Sequence, residues 1–395
     1  MRTPKLILLL IPFLYFINLH SQSIRGLSVL NDNLAWVSGS SGFIAAYGDD
    51  SLNICELPIQ YRKKDFRDIH AFSDRSAIVM SIADSGILLK TWDCGRNWVE
   101  VFRDNDSGVF FDAIEFTDSG NLGILLGDPL PSNPNFLYFR VSLDSGNHWI
   151  ELENGNWNKT SSKMNALFAA SGSSMRLLEF NYNELEGVLD LQIIIGGGGD
   201  NGASIRMAIV QWNLYGELQS ESVREIPLAL PPEKGWGIYG LSKPINGQIA
   251  AAGGHWQFAD GLYSKNLKDS NAKTNCQNGL FWVKFSRDAL SVKPVNVCNY
   301  LSAAAVLNEN KLITVGSNGF VNLDLPRKKE DGFAILSWDH PNFKLKDFLS
   351  IPFNKAEKDS NFFRGLNAVE VSENYVWIVG VSNSPLLLKV PKSSF

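Results

Sequence analysis

The sequence predicts an all-β fold, namely a seven-bladed β-propeller of four-stranded antiparallel blades. Three observations support it. A unit of three short β-type runs separated by polar turns recurs along the chain, several units contain a fourth run, and helical periodicity is weak after the first 21 residues. Blades of about four strands that repeat every ~40–50 residues are typical of propellers. A pair of β-sandwiches is the competing fold, but it does not explain the recurring unit.

Seven copies of the unit are recognisable. The clearest begin at Ile24, Phe66 and Phe363, where an apolar residue is followed by arginine. Each continues through a polar turn, a second apolar run, a turn and a third run, as expected for strands joined by tight turns. The looser copies begin at Phe110, Met164, Gly237 and Leu301.

Composition agrees with one globular domain over residues 22–395. The chain has 395 residues, 45% of them hydrophobic and 19% charged, so it can bury a core. Thirty-six basic and 41 acidic side chains give a net charge of −5. Without a basic tail, the chain lacks the clustered cations that phosphate contacts require, and we expect no nucleic-acid partner.

Residues 1–21 have the features of a cleaved signal peptide. Arg2 and Lys5 precede an apolar stretch over residues 6–17, and Ser21 offers a small residue for cleavage before Gln22. The stretch is shorter than the ~20 residues of a membrane-spanning helix, which is the alternative interpretation. No later segment is suited to span a membrane. We therefore expect a periplasmic or secreted protein, and a monomer.

Export permits disulfides among the four cysteines. Cys276 and Cys298 flank a predicted hairpin and are the favoured pair, and Cys55 could bridge to Cys94. Four unpaired thiols are the alternative. No C-x-x-C motif occurs and no histidines pair at ligand spacing, so no metal site is expected.

Two turns share the pattern S/T-x-D-x-G-x-x-W. The aspartate can accept backbone N–H bonds within the turn, glycine permits an unusual backbone conformation, and tryptophan can pack between sheets. This chemistry assigns the motif to the fold and not to catalysis. Its residues are Asp93, Gly95 and Trp98 in the first copy and Asp144, Gly146 and Trp149 in the second.

These turns look like Asp-boxes of sialidase-like (BNR/Asp-box) propellers. Together with the export signal, the R-x-[LI]…S-G-[FI]-[IL] units and the segments 124–129 and 165–172, they make the chain resemble the photosystem II stability/assembly factor-like propellers. The resemblance covers residues 23–390 and implies a seven-bladed scaffold that acts in binding or assembly. It does not imply a photosystem partner.

Propeller topology groups a candidate binding site at one end of the channel. The first strand of each blade lines the channel, so residues at the start of these strands share one face. Arg25, Arg67 and Arg364 become neighbours there and would attract carboxylates or phosphate. Alternatively, each arginine pairs with a nearby acid and only solvates the rim. The full set is Arg25, Arg67, Asp112, Asn165, Gly237, Ser302 and Arg364.

Longer loops are expected on the same face and could complete a ligand site. They contribute Asp128, His255 and Trp256 as candidates, with packing roles as the alternative. Residues 197–202 match G-x-G-x-x-G, but a strand and not a helix follows, so we interpret them as a hairpin loop and expect no cofactor.

The sequence therefore favours a binding or assembly scaffold for a protein or an anionic or glycan ligand. The alternative is a sialidase-like glycoside hydrolase on the same fold. A hydrolase needs a nucleophilic tyrosine supported by glutamate and an acidic proton donor beside the arginines. Asp112 or Asp128 could serve as the acid, but no Tyr–Glu pair can be assigned by position.

Overall fold

Apolar runs and polar turns fold into antiparallel sheets throughout the computed structural model. Each sheet buries apolar side chains on its faces, as strands of a layered β-protein must. The structure describes residues 23–82, 85–183, 185–256, 279–295, 300–308, 311–316, 319–324, 334–337, 349–350, 365–381 and 385–394.

The first three sheets follow chain order from the inside outward. The first contains β1 (Ile24–Asn31), β2 (Leu34–Gly39), β3 (Ile44–Gly48) and β4 (Ser51–Ile54). The second contains β5 (Phe66–Ala71), β6 (Ala77–Ser81), β7 (Gly86–Thr91) and β8 (Val99–Asp104). The third contains β9 (Phe111–Phe116), β10 (Gly123–Gly127) and β11 (Tyr138–Ser142).

The later sheets have the same antiparallel order. The fourth contains β12 (Met175–Asn183), β13 (Val188–Gly197), β14 (Ser204–Asn213) and β15 (Leu218–Pro227). The fifth contains β16 (Trp236–Leu241), β17 (Gln248–His255), β18 (Leu280–Ser286) and β19 (Ala289–Val295). The sixth contains β20 (Leu301–Asn308), β21 (Lys311–Gly316), β22 (Gly319–Asp324) and β23 (Ala334–Ser337).

The last sheet takes its outermost strand from the preceding segment. Its strands, from the outside inward, are β24 (Leu349–Ser350), β27 (Pro385–Pro391), β26 (Tyr375–Val381) and β25 (Leu366–Val371). Short 3-10 turns occur at Ile59–Tyr61 and Lys392–Ser394.

The sheets form a β-propeller, as predicted. The inner strands contact one another in the cyclic order β1, β5, β9, β12, β16, β20, β25 and back to β1. This ring excludes two separate sandwiches. The predicted number of four-stranded blades was seven, and the described residues form six; the third sheet has three strands.

The chain leaves the third sheet because its apolar side chains are buried elsewhere. Ile150 makes a single bridge to Val141 at the place of a fourth strand. Leu152 and Trp157 then enter a core cluster with Trp212 of the fourth sheet. Burying these large side chains outweighs a few more strand hydrogen bonds at an exposed edge.

The two S/T-x-D-x-G-x-x-W turns have matching geometry on the outer connections of the second and third sheets. Asp93 Oδ1 accepts the N–H of Asn97 at 2.9 Å, and Asp144 Oδ1 accepts that of His148 at 2.9 Å. Gly95 and Gly146 have φ of 77° and 82°, in the left-handed region. The indole N–H groups of Trp98 and Trp149 donate to Gly95 O and Gly146 O, both at 3.2 Å. The aspartates therefore hold turns, as expected.

The possible Cys55–Cys94 bridge is absent, because both residues are free thiols. The Cys55 thiol is directed toward Gly95, where an added Cβ would lie 2.3 Å from Sγ, and its burial raises its pKa to about 12. Cys94 is exposed. Cys276, Cys298 and the signal peptide at residues 1–21 lie outside the described residues. Among the residues described, no helix has the length and apolar character to cross a membrane.

Candidate functional site

The inner strands share a β-bulge near their first residue. In five of the seven described inner strands, the second residue is skipped in the pairing with the next strand of the sheet, and in β12 and β16 the fourth residue is skipped. A bulge of this kind re-aims a side chain, and bulges are common beside functional sites. Outside β12, where Leu178 is skipped, the bulged residues are Arg25, Arg67, Asp112, Tyr239, Ser302 and Asn367.

We call the end of the channel at these bulges the channel mouth. The sequence prediction placed Arg25, Arg67, Asp112 and Ser302 at this position, and their placement agrees. In the fifth and last sheets the equivalent residues are Tyr239 and Asn367, in place of the expected Gly237 and Arg364. Arg364 itself lies outside the described residues. The fourth inner strand begins at Met175, so Asn165 precedes it.

Ser302 and Asn367 join neighbouring sheets. Ser302 Oγ donates to Leu366 O at 2.9 Å, and Asn367 Nδ2 donates to Ile24 O at 2.7 Å. In each case the acceptor is the residue immediately before the next sheet's bulge. These two side chains therefore close the ring and are not available to a ligand.

Arg25 and Arg67 are close enough for their charges to repel. Burial lowers the pKa of Arg25, and the guanidinium of Arg67 lowers it further, while Asp65 and Tyr300 act in the opposite direction. Arg67 Nε donates to Asp65 Oδ2 at 2.9 Å, and its Nη1 donates to Ala169 O at 3.3 Å. No ion pair among the described residues involves Arg25. Thus the alternative that each arginine pairs with a nearby acid holds for Arg67 but not for Arg25.

Asp112 is a fully buried carboxylic acid beside these arginines. Within the described part of the chain, neither carboxyl oxygen has a hydrogen bond of acceptable length and angle. Burial raises its pKa well above the usual range, and the neighbouring Asp128 raises it further; Arg67 and the N–H groups of Asp128 and Ala169 oppose this. Asp112 is therefore a buried acid near Arg67 whose carboxyl oxygens form no hydrogen bond of acceptable length and angle among the described residues.

Asp128 follows β10 at the same end of the third sheet. Its Oδ1 accepts the N–H of Leu167 at 2.8 Å, and burial raises its pKa to about 6. Because two neighbouring carboxyls resist simultaneous ionisation, Asp112 and Asp128 titrate as a pair. The sequence-predicted acids thus lie together near Arg67.

The channel below the mouth is filled by residues 169–174, which we call the plug. Besides the Arg67–Ala169 bond, Ser171 Oγ donates to Ser302 O at 3.3 Å, and Leu241 N donates to Ser173 O at 2.7 Å. The plug therefore touches the inner strands β5, β16 and β20.

Tyrosines border the arginines on the side of the fifth and sixth sheets. The ring of Tyr300 lies 5.0 Å from that of Tyr239 in an edge-to-face arrangement, and Tyr239 stacks on Phe168 at 4.2 Å. Burial raises the pKa of Tyr300 to about 12, while Arg25 and Arg67 oppose this increase. The mouth thus combines guanidinium groups with aromatic surface.

His255 and Trp256 lie at the same end of the fifth sheet. β17 ends at His255, which pairs with Trp236 at the start of β16. His255 is buried, its Nε2 lies 3.0 Å from Lys234 O, and its ring is nearly parallel to that of Trp256. Trp256 is 51% exposed. His255 therefore has a packing role, whereas Trp256 can offer a stacking surface.

Among the residues that the structure describes, the groups of a sialidase-like hydrolase do not converge at the mouth. A Tyr–Glu pair exists, with Tyr61 Oη donating to Glu100 Oε2 at 2.7 Å. Glu100 lies on β8, the outermost strand of the second sheet, whereas Arg67 lies on the innermost strand β5. Three strand spacings separate them by roughly 14 Å. One sugar ring cannot contact both.

Two further features of the sequence concern a cofactor motif and possible metal ligands. The G-x-G-x-x-G segment connects β13 and β14, which pair antiparallel from Gly197↔Ser204 onward, so the expected hairpin is confirmed. In the described part of the chain, no three His, Cys, Asp or Glu side chains are grouped to hold a metal ion.

Sequence reasoning missed Tyr239, Tyr300 and the plug. A usable signal for the bulge was a tripeptide with an apolar first residue, any second residue and a small or acidic third residue. It occurs as Ile238-Tyr239-Gly240 and as Leu366-Asn367-Ala368. The plug has no comparable pattern, since its contacts come from three different sheets.

Comparison with known proteins supports the fold. No protein-family model matches the chain, and no curated protein matches its sequence. A solved structure described as YCF48 bound to D1 peptide is 11% identical, with a TM-score of 0.48 over 94% of each chain. YCF48 from Cyanidioschyzon merolae is also 11% identical, with a TM-score of 0.50 over 95% of this chain and 97% of that one. The resemblance to a photosystem II assembly factor propeller is thus confirmed in the fold.

Proposed function

We propose that this chain is an exported β-propeller that acts as a binding or assembly scaffold for a protein or an anionic ligand. The ligand would be held at the channel mouth by Arg25 and Arg67. Arg364 is part of the same proposal on the basis of sequence alone. We also infer that the three-stranded third sheet is the seventh blade, since its strand β9 contacts β5, and β12 contacts β9.

The observation that carries the proposal is that Arg25 lies beside Arg67 and makes no ion pair among the described residues. Its guanidinium is half-buried, lies near a second guanidinium and has no ion pair among the described residues. Such a charge is unfavourable unless an anion neutralises it, and guanidinium groups bind carboxylates and phosphates with paired hydrogen bonds. Tyr300 and Tyr239 add aromatic area beside it, which is common where proteins bind one another. A carboxylate carried on a protein segment satisfies both features.

Direct binding measurements test this site. The probe is a fluorescein-labelled oligoglutamate peptide, titrated by fluorescence anisotropy at low and at physiological salt. We expect Arg25→Gln with Arg67→Gln to weaken binding about a hundredfold or more, because each of two charge-assisted hydrogen bonds contributes ~1.5–3 kcal/mol. Arg103→Gln is the matched control, because Arg103 pairs with Glu100 on β8.

The outcomes separate a local site from general charge. Equal losses in the double variant and in Arg103→Gln would show only bulk electrostatics, and unchanged affinity in the double variant would place the site elsewhere. Thermal unfolding of each variant verifies that the propeller is intact. Export is tested separately, by sequencing the amino terminus of the protein recovered outside the cytoplasm, where cleavage before Gln22 is expected.

A further inference from the structure

The fourth sheet projects beyond the ring on the face opposite the channel mouth. Its four strands have 9 or 10 residues, whereas strands elsewhere have 2 to 8. Its inner strand β12 runs away from the mouth. Its third residue, Leu177, donates its N–H to Glu115, the fifth of the six residues of β9, so β12 continues beyond the far end of β9. About four additional residues extend a strand by ~13 Å.

The projecting end displays large apolar side chains. We call it the tip, defined by the two turns that follow β12 and β14 and by Tyr182. Leu185 is 99% exposed and Tyr215 is 90% exposed, and Leu214 and Tyr182 are 53% and 40% exposed. Leu214 lies against Gly187, where an added Cβ would be 3.4 Å from its Cδ1, so the two turns are adjacent. Grouped exposed apolar residues on a soluble protein mark interaction surfaces.

The described residues of both turns are held by the same kind of hydrogen bond. Asn183 Oδ1 accepts the N–H of Leu185 at 3.1 Å, and Asn213 Oδ1 accepts the N–H of Tyr215 at 2.9 Å. Gly187 and Gly216 follow with φ of 66° and 80°. A display fixed in this way loses little conformational entropy on binding.

The connection from the third sheet braces the tip from one side. Glu153 N donates to Gly216 O at 2.8 Å, Glu153 Oε2 accepts the N–H of Leu218 at 2.7 Å, and Trp212 Nε1 donates to Glu153 O at 2.9 Å. Trp212 is fully buried against Trp157. The exposed apolar residues therefore stand on a packed support.

The segments that form the tip and its support have acidic side chains and no basic ones. No lysine or arginine occurs within residues 177–205, 207–223 or 141–158. Carboxylates at the tip accept hydrogen bonds from neutral amides: Glu179 from Asn181, Asp190 from Gln211, Glu217 from Asn213 and Glu221 from Trp157 N. Amide donors leave the carboxylate charge in place, so the tip attracts cations.

We propose that the tip is a docking surface for a protein segment that combines lysine or arginine with apolar side chains. The apolar residues supply the contact area, and the surrounding carboxylates select a basic partner. A second copy of this chain would bring like charges together, and neutral lipid would leave the carboxylates without partners. This surface is separate from the channel mouth and does not depend on the function proposed for it.

Peptide binding tests the proposal. The probe is a labelled peptide of lysine and leucine, compared with a lysine–serine peptide and a glutamate–leucine peptide of equal length. We expect the full chain to bind the lysine–leucine peptide best, with affinity falling as salt rises. Leu185→Ser with Tyr215→Ser should weaken binding about tenfold, as loss of two anchors does. Glu179→Gln with Glu186→Gln should weaken it and reduce its dependence on salt.

Matched variants identify the location. Ile59→Ser removes another apolar side chain that is 77% exposed, in the 3-10 turn between the first two sheets, and should leave affinity unchanged. The Arg25→Gln, Arg67→Gln variant should also bind normally, which separates this site from the mouth. Unchanged binding by the Leu185→Ser, Tyr215→Ser variant would overturn the proposal. Equal binding of the glutamate–leucine and lysine–leucine peptides would also overturn it. The same holds if the tip residues are needed for binding to phosphatidylcholine vesicles, or for self-association, and not for binding the lysine–leucine peptide.

Discussion

Asp68, on the inner strand of the second sheet, accepts the backbone N–H of Ile114 on the inner strand of the third sheet at 2.7 Å. Its other oxygen accepts the N–H of Ile69 at 2.8 Å. Comparable bonds join Glu115 to Leu177 N and Glu370 to Val29 N. Side-chain acceptors thus connect neighbouring inner strands, which do not pair with one another in a sheet.

Loss of the Asp68 carboxyl should destabilise the propeller. Asp68→Ala leaves two buried N–H groups without acceptors and should lower the free energy of unfolding by about 2–4 kcal/mol. Asp68→Asn keeps one acceptor oxygen and should cost less. Denaturant unfolding measures both, with the exposed Asp74→Ala as control. Equal stability of Asp68→Ala and the wild type would show that the bond to Ile114 is dispensable.

Asp112 should make stability decrease as pH rises. Burial and Asp128 raise its folded pKa, so the folded state binds its proton more tightly than the unfolded state does. The stability from this group is complete below the unfolded pKa near 4 and is lost as pH rises through the folded pKa. Because Asp128 has a pKa of about 6, the pair should titrate from mildly acidic pH upward.

Asp112→Asn removes the charge and should raise the free energy of unfolding at neutral pH relative to the wild type. The difference should vanish near pH 4, where Asp112 is protonated in both states. Denaturant unfolding across this pH range measures it. A variant that is less stable than the wild type at pH 8 would show that Asp112 has a favourable partner when ionised.

His70 should give the opposite dependence on pH. Burial, together with the cations Lys243 and Lys90, lowers its pKa to about 3. The folded state therefore resists its protonation, so stability is lost as pH falls from about 6.5, the unfolded value, toward 3. The ring packs 4.7 Å from Phe116 and 4.8 Å from Phe72, so phenylalanine should fit.

The measurement is the slope of unfolding free energy against pH between about 4 and 6.5. His70→Phe should flatten this slope. Equal slopes in His70→Phe and the wild type would assign the acid sensitivity to another group.

The propeller and its turns could be predicted because their signals are local. Asp93 and Gly95 hold a turn through bonds within five residues, and alternating apolar runs specify strands wherever they occur. The position of the bulge in the last sheet was harder to predict. Phe363-Arg364-Gly365 has the same sequence pattern as Ile24-Arg25-Gly26, but Leu366-Asn367-Ala368 occupies the equivalent position in the structure. Only pairing with β26 distinguishes them.

Long-range packing accounts for the remaining differences from the prediction. The third sheet lacks a fourth strand because Leu152 and Trp157 are buried against the fourth sheet, a contact that no strand periodicity indicates. Arg67 was expected at the mouth, but its bond to Ala169 depends on a plug that crosses the channel. These features exist only after the ring has closed.

Gly172 should be the most sensitive position of the plug. Its φ is 67°, and an added Cβ would lie 2.0 Å from Cγ of Asp68. Gly172→Ala should therefore lower the free energy of unfolding through backbone strain of about 1 kcal/mol and through a clash with a buried carboxyl. Removing the carboxyl creates the missing space, so Asp68→Ala with Gly172→Ala should be less destabilised than the sum of the single variants. A double-mutant cycle by denaturant unfolding measures this coupling, which should be at least ~1 kcal/mol. Strict additivity would mean that the plug does not rest on Asp68.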